Sequence, residues 1–543
     1  MPDTAQRLQD VARRTFGWER LHPEQLQAMT YLIDGHDVLA VLPTGAGKSA
    51  IYQVPALLLD GPTLVVSPLL ALQRDQIDGL EETRAPEAVA VNSAESTAQR
   101  REAWAEVTSG VAEYLFLSPE QLAKDDVVER LAALGVSLFV VDEAHCVSAW
   151  GHDFRPDYLR LAPVIEQLGH PPVVALTATA AGPVRDDIVA RLGLRDARQV
   201  IGSFNRPELH LAVERETSEE RKRKAVAERV TELARTGHGL VYVASRKDAE
   251  AYAEELTAGG LRAAHYHAGM RTADRETVHE TFLADGYDVV VATSAFGMGI
   301  DKPDVRFVLH ASAPESLDAY YQQIGRAGRD GDPARCVLLY RPEDLHLQTF
   351  LTASRAPEET IREVAMVLAA ASEPLRPSAI DVGGSAAART RALNLLEQVG
   401  AIVADEDGAL RYADPSVPAA AAVAAAVDVA ETHQKLIRSR IEMMRGYAET
   451  LGCRRQFLLG YFGETLPEPC GNCDTCEDGT AYEVHAAAKD ARYAPDSAVE
   501  HAEFGPGVVM SADADTITVL FDDVGYKTLS RAVVEEEGLL RAP

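Results

Sequence analysis

The sequence has few cysteines and no long apolar segment, and each shortage excludes a class of protein. Six cysteines among 543 residues are too few for the disulfide framework of a secreted scaffold. No run of about 18 apolar residues is present that could cross a membrane. The first residues, MPDTAQRLQDVARR, lack the apolar segment of a secretory signal. We therefore predict a cytoplasmic protein without a membrane partner.

Basic residues are also scarce relative to acidic ones. The chain has 53 Lys and Arg against 83 Asp and Glu, which gives a formal net charge of −30. An acidic surface repels phosphate at long range, so the composition excludes a histone-like protein that holds nucleic acid through bulk positive charge. With 46% hydrophobic and 25% charged residues, the chain is otherwise globular in composition. Its length fits about 3–5 domains.

Short apolar, β-branched segments alternate with longer helical patterns from about residue 25 to residue 345. Near-continuous apolar strands between amphipathic helices are typical of parallel sheets covered on both faces. The alternation breaks at 203–209, just before a highly charged segment. We therefore predict an α/β protein with two parallel-sheet lobes, 1–205 and 206–350, and a cleft between them.

Further modules are predicted beyond the second lobe. Residues 355–415 combine three short helical patterns with a strand, a turn and a strand, which indicates a winged-helix-like module. An Ala-rich connector at 416–430 is expected to be helical and leads to a cysteine-bearing helical module at 431–480. A polar linker at 481–497 precedes 498–543, where the alternating segment TITVLF and Gly-bearing turns predict a small β-barrel.

A glycine-rich loop lies between the apolar segment DVLAVL and a helical pattern. In that context backbone N–H groups and a helix N-terminus can surround phosphates. Lys48 is predicted to reach the β- and γ-phosphates and Ser49 to bind Mg²⁺. Leu42 stands where the full pattern has Gly, so the loop alone leaves a plain tight turn open. The other residues of the loop predicted to bind the nucleotide are Thr44, Gly45, Ala46 and Gly47.

Two adjacent carboxylates follow the apolar segment LFVV. Asp142 and Glu143 at the end of a buried strand would be costly without a cation. Asp142 is predicted to hold Mg²⁺ together with Ser49, and Glu143 to orient the attacking water. The alternative is a solvated acidic turn. Charge on the transferred phosphate would be stabilised by Arg326 and Arg329, which come from the second lobe.

These elements, in this order, resemble the RecQ family of superfamily 2 DNA helicases. The resemblance spans about 11–345 and resumes at 431–476. It rests on segments that include FGWERLHPEQ, PTGAGKS, DEAH, ALTATA, YHAGM and YYQQIGRAGRDG. It implies two RecA-like lobes and an ATP-dependent DNA helicase that moves 3′→5′ on single-stranded DNA. The implied role is unwinding of tailed duplexes in repair or recombination, with ATP, Mg²⁺ and structural Zn²⁺ as cofactors.

The resemblance also implies roles by position in and around the nucleotide site. Trp18, His22 and Gln25 would read the adenine, although His22 stands where the family normally has Arg. His145 and Gln323 would form the pair that couples the two lobes. Through this implied role, Gln323 joins the predicted catalytic residues, which are Lys48, Asp142, Glu143, Arg326 and Arg329.

The expected DNA contacts lie in an aromatic-rich segment and in the second lobe. Taken alone, the aromatics of the segment also fit core packing, but aromatic side chains stacked on bases with Arg on phosphate hold single strands without sequence preference. The resemblance of this segment to the aromatic-rich loop of the RecQ family favours DNA binding over core packing. The residues predicted to contact DNA are Trp150, His152, Phe154, Arg155, Arg246 and Thr293.

Four of the six cysteines follow the spacing C-x16-C-x2-C-x2-C. Cys453, Cys470, Cys473 and Cys476 suit a tetrahedral structural Zn²⁺, and the match to the RecQ zinc module favours zinc. A redox cysteine pair and an iron–sulfur cluster are the alternatives. Residues 431–460 carry six basic and three acidic side chains, a local excess that suggests duplex contact.

The last module resembles the Tudor-like barrel at the C-terminus of UvrD/PcrA helicases, which implies docking to RNA polymerase. Residues 477–543 carry 5 basic and 14 acidic side chains, which disfavours DNA binding there. We expect a monomer associated with the nucleoid. Two other functions remain open: an RNA helicase with the same motor, and a tethering factor whose ATPase switches partner binding with little unwinding. The acidic wing at 405–408 supports the latter.

Overall fold

The computed structural model describes residues 4–92, 95–148, 153–296, 302–345, 358–404, 409–488, 493, 497–512, 516–521 and 525–541. Among these, no helix is both long and apolar enough to cross a membrane. Trp150 and His152, two of the predicted DNA contacts, lie outside the described residues, as does the wing at 405–408.

The first lobe is a seven-stranded parallel sheet with helices on both faces. Its strand order is β3-β4-β2-β5-β6-β1-β7. The strands are β1 Val38–Val41, β2 Thr63–Val66, β3 Glu87–Val91, β4 Ala112–Leu117, β5 Leu138–Val141, β6 Val173–Thr177 and β7 Arg198–Ile201. The helices are α1 Thr4–Val11, α2 Pro23–Ile33, α3 Ala50–Ala56, α4 Leu70–Glu81, α5 Thr97–Ser109, α6 Asp125–Leu134, α7 Leu161–Gln167 and α8 Gly182–Leu192. Strands β1, β2, β5 and β6 are buried at every residue, which explains their continuous apolar sequence.

The second lobe is a six-stranded parallel sheet in the order β10-β11-β9-β12-β13-β8. Its strands are β8 Leu209–Arg215, β9 His238–Tyr242, β10 Ala263–Tyr266, β11 Val289–Ala292, β12 Val305–His310 and β13 Ala334–Tyr340. Its helices are α9 Glu219–Leu233, α10 Arg246–Ala258, α11 Thr272–Leu283 and α12 Leu317–Ile324. Residues 202–208 connect the sheets, so the predicted lobe boundary falls within this connection. In both lobes the loops at the carboxyl ends of the strands are where ligands bind in such sheets.

The next unit packs two helices and a hairpin against the start of a long helix. It contains α13 Glu358–Ala370, α14 Ala386–Gln398, β14 Ile402–Ala404 and β15 Leu410–Tyr412. The predicted middle helix is only a 3₁₀ turn, Pro377–Ala379. The core is completed by Ala422, Val423 and Ala426, which belong to the predicted connector.

Helix α15, Ala419–Glu449, is 31 residues long and joins this unit to the cysteine module. The predicted boundary between connector and cysteine module therefore falls inside one helix. The Ala-rich segment has high helix propensity and nothing within it breaks the helix. The cysteine module continues with α16 Arg454–Tyr461, α17 Asp474–Glu477 and α18 Thr480–Ala488. The predicted polar linker thus begins as a helix, and Ala481 is fully buried in the main core.

The C-terminal unit is a five-stranded antiparallel sheet in the order β19-β18-β17-β16-β20. Its elements are β16 Ala498–His501, β17 Gly505–Ala512, β18 Thr516–Phe521, β19 Gly525–Ser530, α19 Arg531–Glu537 and β20 Leu540–Arg541. The sheet has its own small core, which includes Val509, Ile517, Val519, Phe521 and Val534. Strand β19 also packs along α15, so the unit is joined to the rest of the chain.

Candidate functional site

The glycine-rich loop connects β1 to α3 at the edge of the cleft. Gly45 and Gly47 have φ angles of 85° and 66°, a backbone conformation that side chains disfavour, and this explains two of the glycines. The Lys48 ammonium donates to the carbonyl of Leu42 at 3.2 Å. Burial lowers the pKa of Lys48, while the nearby charges of Glu143 and Asp142 oppose that shift. The loop therefore holds one cation beside two carboxylates.

Asp142 lies at the end of β5 and is held by the neighbouring strand and helix. Its Oδ2 accepts hydrogen bonds from Gln76 at 3.1 Å and from Ser67 at 3.4 Å. Its Oδ1 accepts from the backbone N–H of Glu143 at 2.9 Å. Burial, followed by the Glu143 charge, raises the pKa of Asp142 to about 6. A buried carboxylate with such a pKa gains from a bound cation, so the donor set fits Mg²⁺.

Glu143 adopts an unusual backbone conformation, with φ at 48°. Non-glycine residues with positive φ cost free energy and occur often at functional sites. The His145 ring lies between the lobe core and this carboxylate: its Nδ1 is 3.3 Å from Glu143 Oε2 and 3.0 Å from Thr177 Oγ1. Thr177 in turn donates to the carbonyl of Thr179 at 3.0 Å. The turn thereby links the Glu143 carboxylate to the end of β6.

Residues of the second lobe contact the glycine-rich loop directly. A Cβ placed on Gly45 would lie 3.5 Å from Cγ of Arg329, and one placed on Gly325 would lie 3.5 Å from Cβ of Thr44. The Arg329 charge also acts on Lys48. The end of α12 and the loop that follows it therefore lie against the predicted phosphate site. Arg326 is buried next to Tyr242.

Gln323, the predicted partner of His145, is hydrogen-bonded within its own lobe. Gln323 Oε1 accepts a hydrogen bond from His310 Nε2 at 2.8 Å, within its own lobe. Burial lowers the pKa of His310 to about 4, so this histidine is neutral. The side chains of His310 and Gln323 are both buried in the second lobe. Sequence reasoning missed His310, which carries no motif signal beyond its strand.

The three residues predicted to read adenine lie at the start of α2 and just before it. Gln25 donates to the carbonyls of Ala46 at 3.0 Å and Gly47 at 2.9 Å, and accepts from the N–H of His22 at 2.8 Å. The Trp18 ring stacks on Phe16 with centroids 4.6 Å apart. Gln25 therefore braces the glycine-rich loop itself, a contact that the sequence did not indicate.

Part of the aromatic-rich segment is described, and its Phe154 and Arg155 side chains contact other parts of the protein. The Phe154 ring lies 5.6 Å from that of His433 on α15. The Arg155 guanidinium binds Asp153 at 2.9 Å and donates to the Pro68 carbonyl at 3.0 Å. The predicted use of Arg155 on a DNA phosphate therefore competes with these internal bonds. In this arrangement Arg155 fixes the segment to the loop after β2.

Two predicted DNA contacts lie at the carboxyl ends of lobe 2 strands. Arg246 is exposed at the start of α10, and its guanidinium lies over Gly269, where a Cβ would be 2.8 Å away. Thr293 follows β11 and is half-buried, with its N–H on the Tyr266 carbonyl at 3.2 Å. The structure brings both to the same edge of the sheet.

Two of the basic residues suggested for duplex contact are buried instead. Arg454 binds Asp474 at 2.8 Å and donates to the Tyr447 carbonyl at 2.6 Å. Arg455 donates to the carbonyl of Arg206 at 2.5 Å and to that of Leu209. Arg455 therefore satisfies carbonyls at the connection between the lobes, while Arg454 joins α15 to α17. Lys435 and Arg438 remain exposed on α15.

The four cysteines form one cluster. Their sulfur atoms all lie within 4.8 Å of one another, and the Cys453–Cys473 and Cys470–Cys476 separations are both 4.0 Å. Four sulfurs around a tetrahedral Zn²⁺ are about 3.8 Å apart, whereas a disulfide needs about 2 Å. The N–H of Cys470 donates to Cys453 Sγ at 3.3 Å, which stabilises a thiolate. The cluster fits a four-thiolate zinc site, and none of its cysteines forms a disulfide.

The cysteine module also holds the connection between the lobes. Cys473 forms an isolated parallel bridge with Leu211 of β8, and the Val213 N–H donates to Asp474 at 2.8 Å. Glu464 accepts hydrogen bonds of 2.6 Å from both the Ser203 hydroxyl and the Phe204 N–H. The module therefore fixes the chain segment on which any lobe movement depends.

Three family profiles match the chain in the order of its units. Residues 22–188 match the DEAD/DEAH box helicase family, 221–331 match the helicase conserved C-terminal domain, and 420–477 match the RecQ zinc-binding family. The third match begins inside α15, as the zinc module does in the structure.

Curated relatives align with most of the chain. It is 36% identical over 476 residues to the probable ATP-dependent DNA helicase RecS of Bacillus subtilis, covering 87% of this chain and 91% of that protein. It is 33% identical to the ATP-dependent DNA helicase RecQ of the same organism, covering 90% of this chain and 69% of that protein. It is 36% identical to the ATP-dependent DNA helicase RecQ of Haemophilus influenzae, covering 86% of this chain and 63% of that protein.

Solved structures share the fold at lower identity. The DUF1998 helicase MrfA bound to DNA aligns with a TM-score of 0.54 at 18% identity, covering 78% of this chain and 64% of that one. The Mycobacterium smegmatis helicase Lhr bound to single-stranded DNA and AMP-PNP aligns with a TM-score of 0.51 at 19% identity, covering 96% and 79%. Both show the arrangement of paired parallel-sheet lobes.

Proposed function

The chain belongs to the RecQ family of superfamily 2 helicases and is an ATP-dependent DNA helicase, and on that basis we propose that it moves 3′→5′ along single-stranded DNA. The direction is the one typical of the family, and the observation that supports an ATP-driven motor is the contact of Arg329 with Gly45 across the cleft. It joins the arginine of one lobe to the phosphate loop of the other. ATP bound there would be contacted by both lobes, so its hydrolysis would change how they fit together.

Each residue of the site has one proposed task. Lys48 binds the β- and γ-phosphates, while Ser49 and Asp142 hold Mg²⁺, which neutralises phosphate charge when bound. Glu143 orients and polarises the attacking water, and the strained turn keeps it rigid. Arg329, supported by Arg326, stabilises the charge that develops on the transferred phosphate.

The proposed DNA grip uses the anchored segment after β5. Arg155 ties this segment to Pro68, two residues from Val66, where β2 ends. The same loop supplies Ser67, which supports Asp142. A DNA strand stacked on the aromatic residues would therefore be connected, through this loop, to Asp142, the carboxylate proposed to hold Mg²⁺. Arg246 and Thr293 of lobe 2 would hold the strand backbone on the other side.

Direction of movement is tested with single-stranded DNA that carries streptavidin on a biotin at one end. A motor that moves 3′→5′ meets the 5′ end, so we expect ATP-dependent displacement from 5′-biotinylated strands. Preferential displacement from 3′-biotinylated strands would reverse the proposed direction. Glu143→Gln should not displace streptavidin. Glu129→Gln, the same substitution at an exposed position of α6, is its active control.

The RNA-helicase alternative differs in the nucleic acid that stimulates hydrolysis. Single-stranded DNA is expected to raise the ATPase rate at least about tenfold, which corresponds to an activation free energy lower by about 1.4 kcal/mol. RNA of the same sequence is expected to stimulate much less. Equal stimulation by RNA, together with unwinding of RNA duplexes, would favour the alternative.

Gln25→Ala is expected to raise the KM for ATP about tenfold with little change in kcat. The substitution removes two hydrogen bonds to the phosphate loop, together worth on the order of 1–2 kcal/mol. Steady-state ATPase titrations measure the effect. Gln27→Ala is the matched control, because Gln27 is exposed and its side chain donates to the Tyr31 hydroxyl on the same helix. An unchanged KM for Gln25→Ala would contradict the proposed bracing.

The C-terminal sheet is the proposed docking site for RNA polymerase, and the chain is proposed to act as a monomer located with the nucleoid. Support comes from the resemblance of 498–543 to the UvrD/PcrA barrel and from two exposed apolar residues, Val508 and Val533. Val508→Asp with Val533→Asp is expected to remove polymerase from purified complexes. Undiminished recovery would count against docking, and sedimentation of the free protein tests the monomer.

A further inference from the structure

The C-terminal sheet places one aromatic side chain deep in the motor. Tyr526, at the start of β19, is 6% exposed and belongs to the main hydrophobic core, unlike the sheet's own core residues. Its backbone is held on α15 by Ser439: the Tyr526 N–H donates to Ser439 Oγ at 2.6 Å, and that hydroxyl donates to the Tyr526 carbonyl at 3.2 Å. One side chain thus satisfies both backbone groups of a buried residue.

The Tyr526 ring contacts the end of α16. It stacks on Tyr461 with centroids 5.1 Å apart and an angle of 28°, and its hydroxyl donates to the Tyr461 carbonyl at 3.4 Å. The helix and sheet are closely packed at a second point, since a Cβ on Gly460 would lie 3.3 Å from the Met510 carbonyl. The sheet is therefore fitted against α16 and is not a freely tethered unit.

Tyr461 carries the contact into the catalytic lobe. Its hydroxyl donates to the carboxylate of Asp318, which is 2% exposed and lies on α12. The same helix carries Gln323 and leads into Arg326 and Arg329. A buried carboxylate needs this donor, because an unpaired charge there would be costly.

Tyr526 faces the first lobe as well. It lines one small cavity together with Ala181, Pro183 and Val184, which lie at the start of α8. That segment follows Thr177, which is hydrogen-bonded to His145, and Thr179, whose carbonyl accepts from Thr177. The ring is therefore located where α8 of lobe 1 and the zinc module meet, one contact away from α12 of lobe 2.

We propose that Tyr526 is a positioning residue for ATP hydrolysis, acting through Tyr461 and Asp318 on the helix that leads to Arg329. The inference rests on the proposed motor function and adds the C-terminal sheet to it. The sheet would hold α12 in the orientation that brings Arg329 against the phosphate loop. A purely docking module would not need such a contact.

The test compares Tyr526→Ala with Tyr526→Phe in the full-length, zinc-loaded protein. Loss of the ring is expected to lower kcat for DNA-stimulated ATP hydrolysis about fivefold, with the KM for ATP changed less than about twofold. The phosphate loop and the adenine contacts lie in lobe 1, which explains the unchanged KM. The Phe variant keeps the ring and should retain near-normal kcat. Glu536→Ala, at an exposed position of α19, is the control.

Hydrogen exchange of the peptide that contains α12 gives a second readout, independent of catalysis. Exchange is expected to be faster in Tyr526→Ala and unchanged in Glu536→Ala. Ser439→Ala leaves the sheet sequence intact and should shift both readouts in the same direction, so a folding defect of the sheet does not obscure the result.

Each outcome decides the inference. A normal kcat in Tyr526→Ala, or a lower kcat with unaltered α12 exchange, would overturn it while leaving the motor function intact. If the wild-type protein failed to unwind DNA, the motor proposal would fail. The exchange at α12 would still show whether Tyr526 positions that helix.

Discussion

Glu143→Gln is expected to abolish ATP turnover while leaving ATP binding intact. The substitution keeps the size of the side chain and removes the charge that orients and polarises the attacking water, which is worth about 10²–10⁴-fold in rate. ATP binding should persist because Lys48 and Ser49 are unchanged and the Asp142 charge still supports the Lys48 ammonium. Steady-state hydrolysis with saturating DNA measures the rate, and equilibrium binding of a fluorescent ATP analogue measures the affinity.

Glu129→Gln makes the same chemical change at an exposed position of α6 and should behave like the wild type. Hydrolysis by Glu143→Gln within a few-fold of the wild-type rate would refute the role assigned to this carboxylate. Loss of ATP binding in the same variant would instead indicate that the strained turn had changed shape.

Cys473→Ala is expected to remove the bound zinc and to lower the apparent melting temperature by on the order of 10 °C. Cys473 is fully buried and bridges to Leu211 of β8, so the loss loosens the segment that connects the lobes. DNA-stimulated hydrolysis should fall with it, because lobe closure needs that connection. Metal analysis and thermal unfolding measure the two effects.

Cys336→Ala provides the matched cysteine control. Cys336 is equally buried, in β13, and lies outside the four-cysteine cluster. Its removal should leave a small cavity and full zinc content. Zinc retained at the wild-type level by Cys473→Ala would contradict the four-thiolate site, and iron in the purified wild type would favour a cluster of a different kind.

The sequence predicted the lobes because their strands have a simple local signature. Buried parallel strands are apolar at every position, and β1, β2, β5 and β6 follow that rule. The phosphate loop was also predictable, since Gly45 and Gly47 adopt angles that few other residues tolerate. The cysteine cluster followed from spacing alone. Each of these features is decided by residues close together in the chain.

Contacts between distant segments could not be predicted in this way. The bond of Gln25 to the phosphate loop and that of Gln323 to His310 depend on where whole elements pack. The charge of Arg454 and Arg455 suggested DNA, yet each guanidinium binds carbonyls inside the protein. A charge pattern identifies ionic groups without identifying their partners.

Helix boundaries were also difficult to predict where composition changes inside one element. The Ala-rich segment and the basic segment after it differ in composition, but both favour helix, so α15 runs through both. The linker expected at 481–497 begins as a helix because Ala481 packs into the core. Tertiary burial, which is absent from local sequence, decided these two cases.

Strand displacement on a 3′-tailed DNA duplex, followed in real time with Mg²⁺ and ATP, tests the central claim most directly. A motor that couples hydrolysis in the cleft to movement along one strand should release the complementary strand with ATP. It should not do so with a non-hydrolysable analogue, and Glu143→Gln should release none with either. DNA-stimulated hydrolysis without release of a strand from any tailed duplex would contradict the account and favour an ATPase that only switches binding.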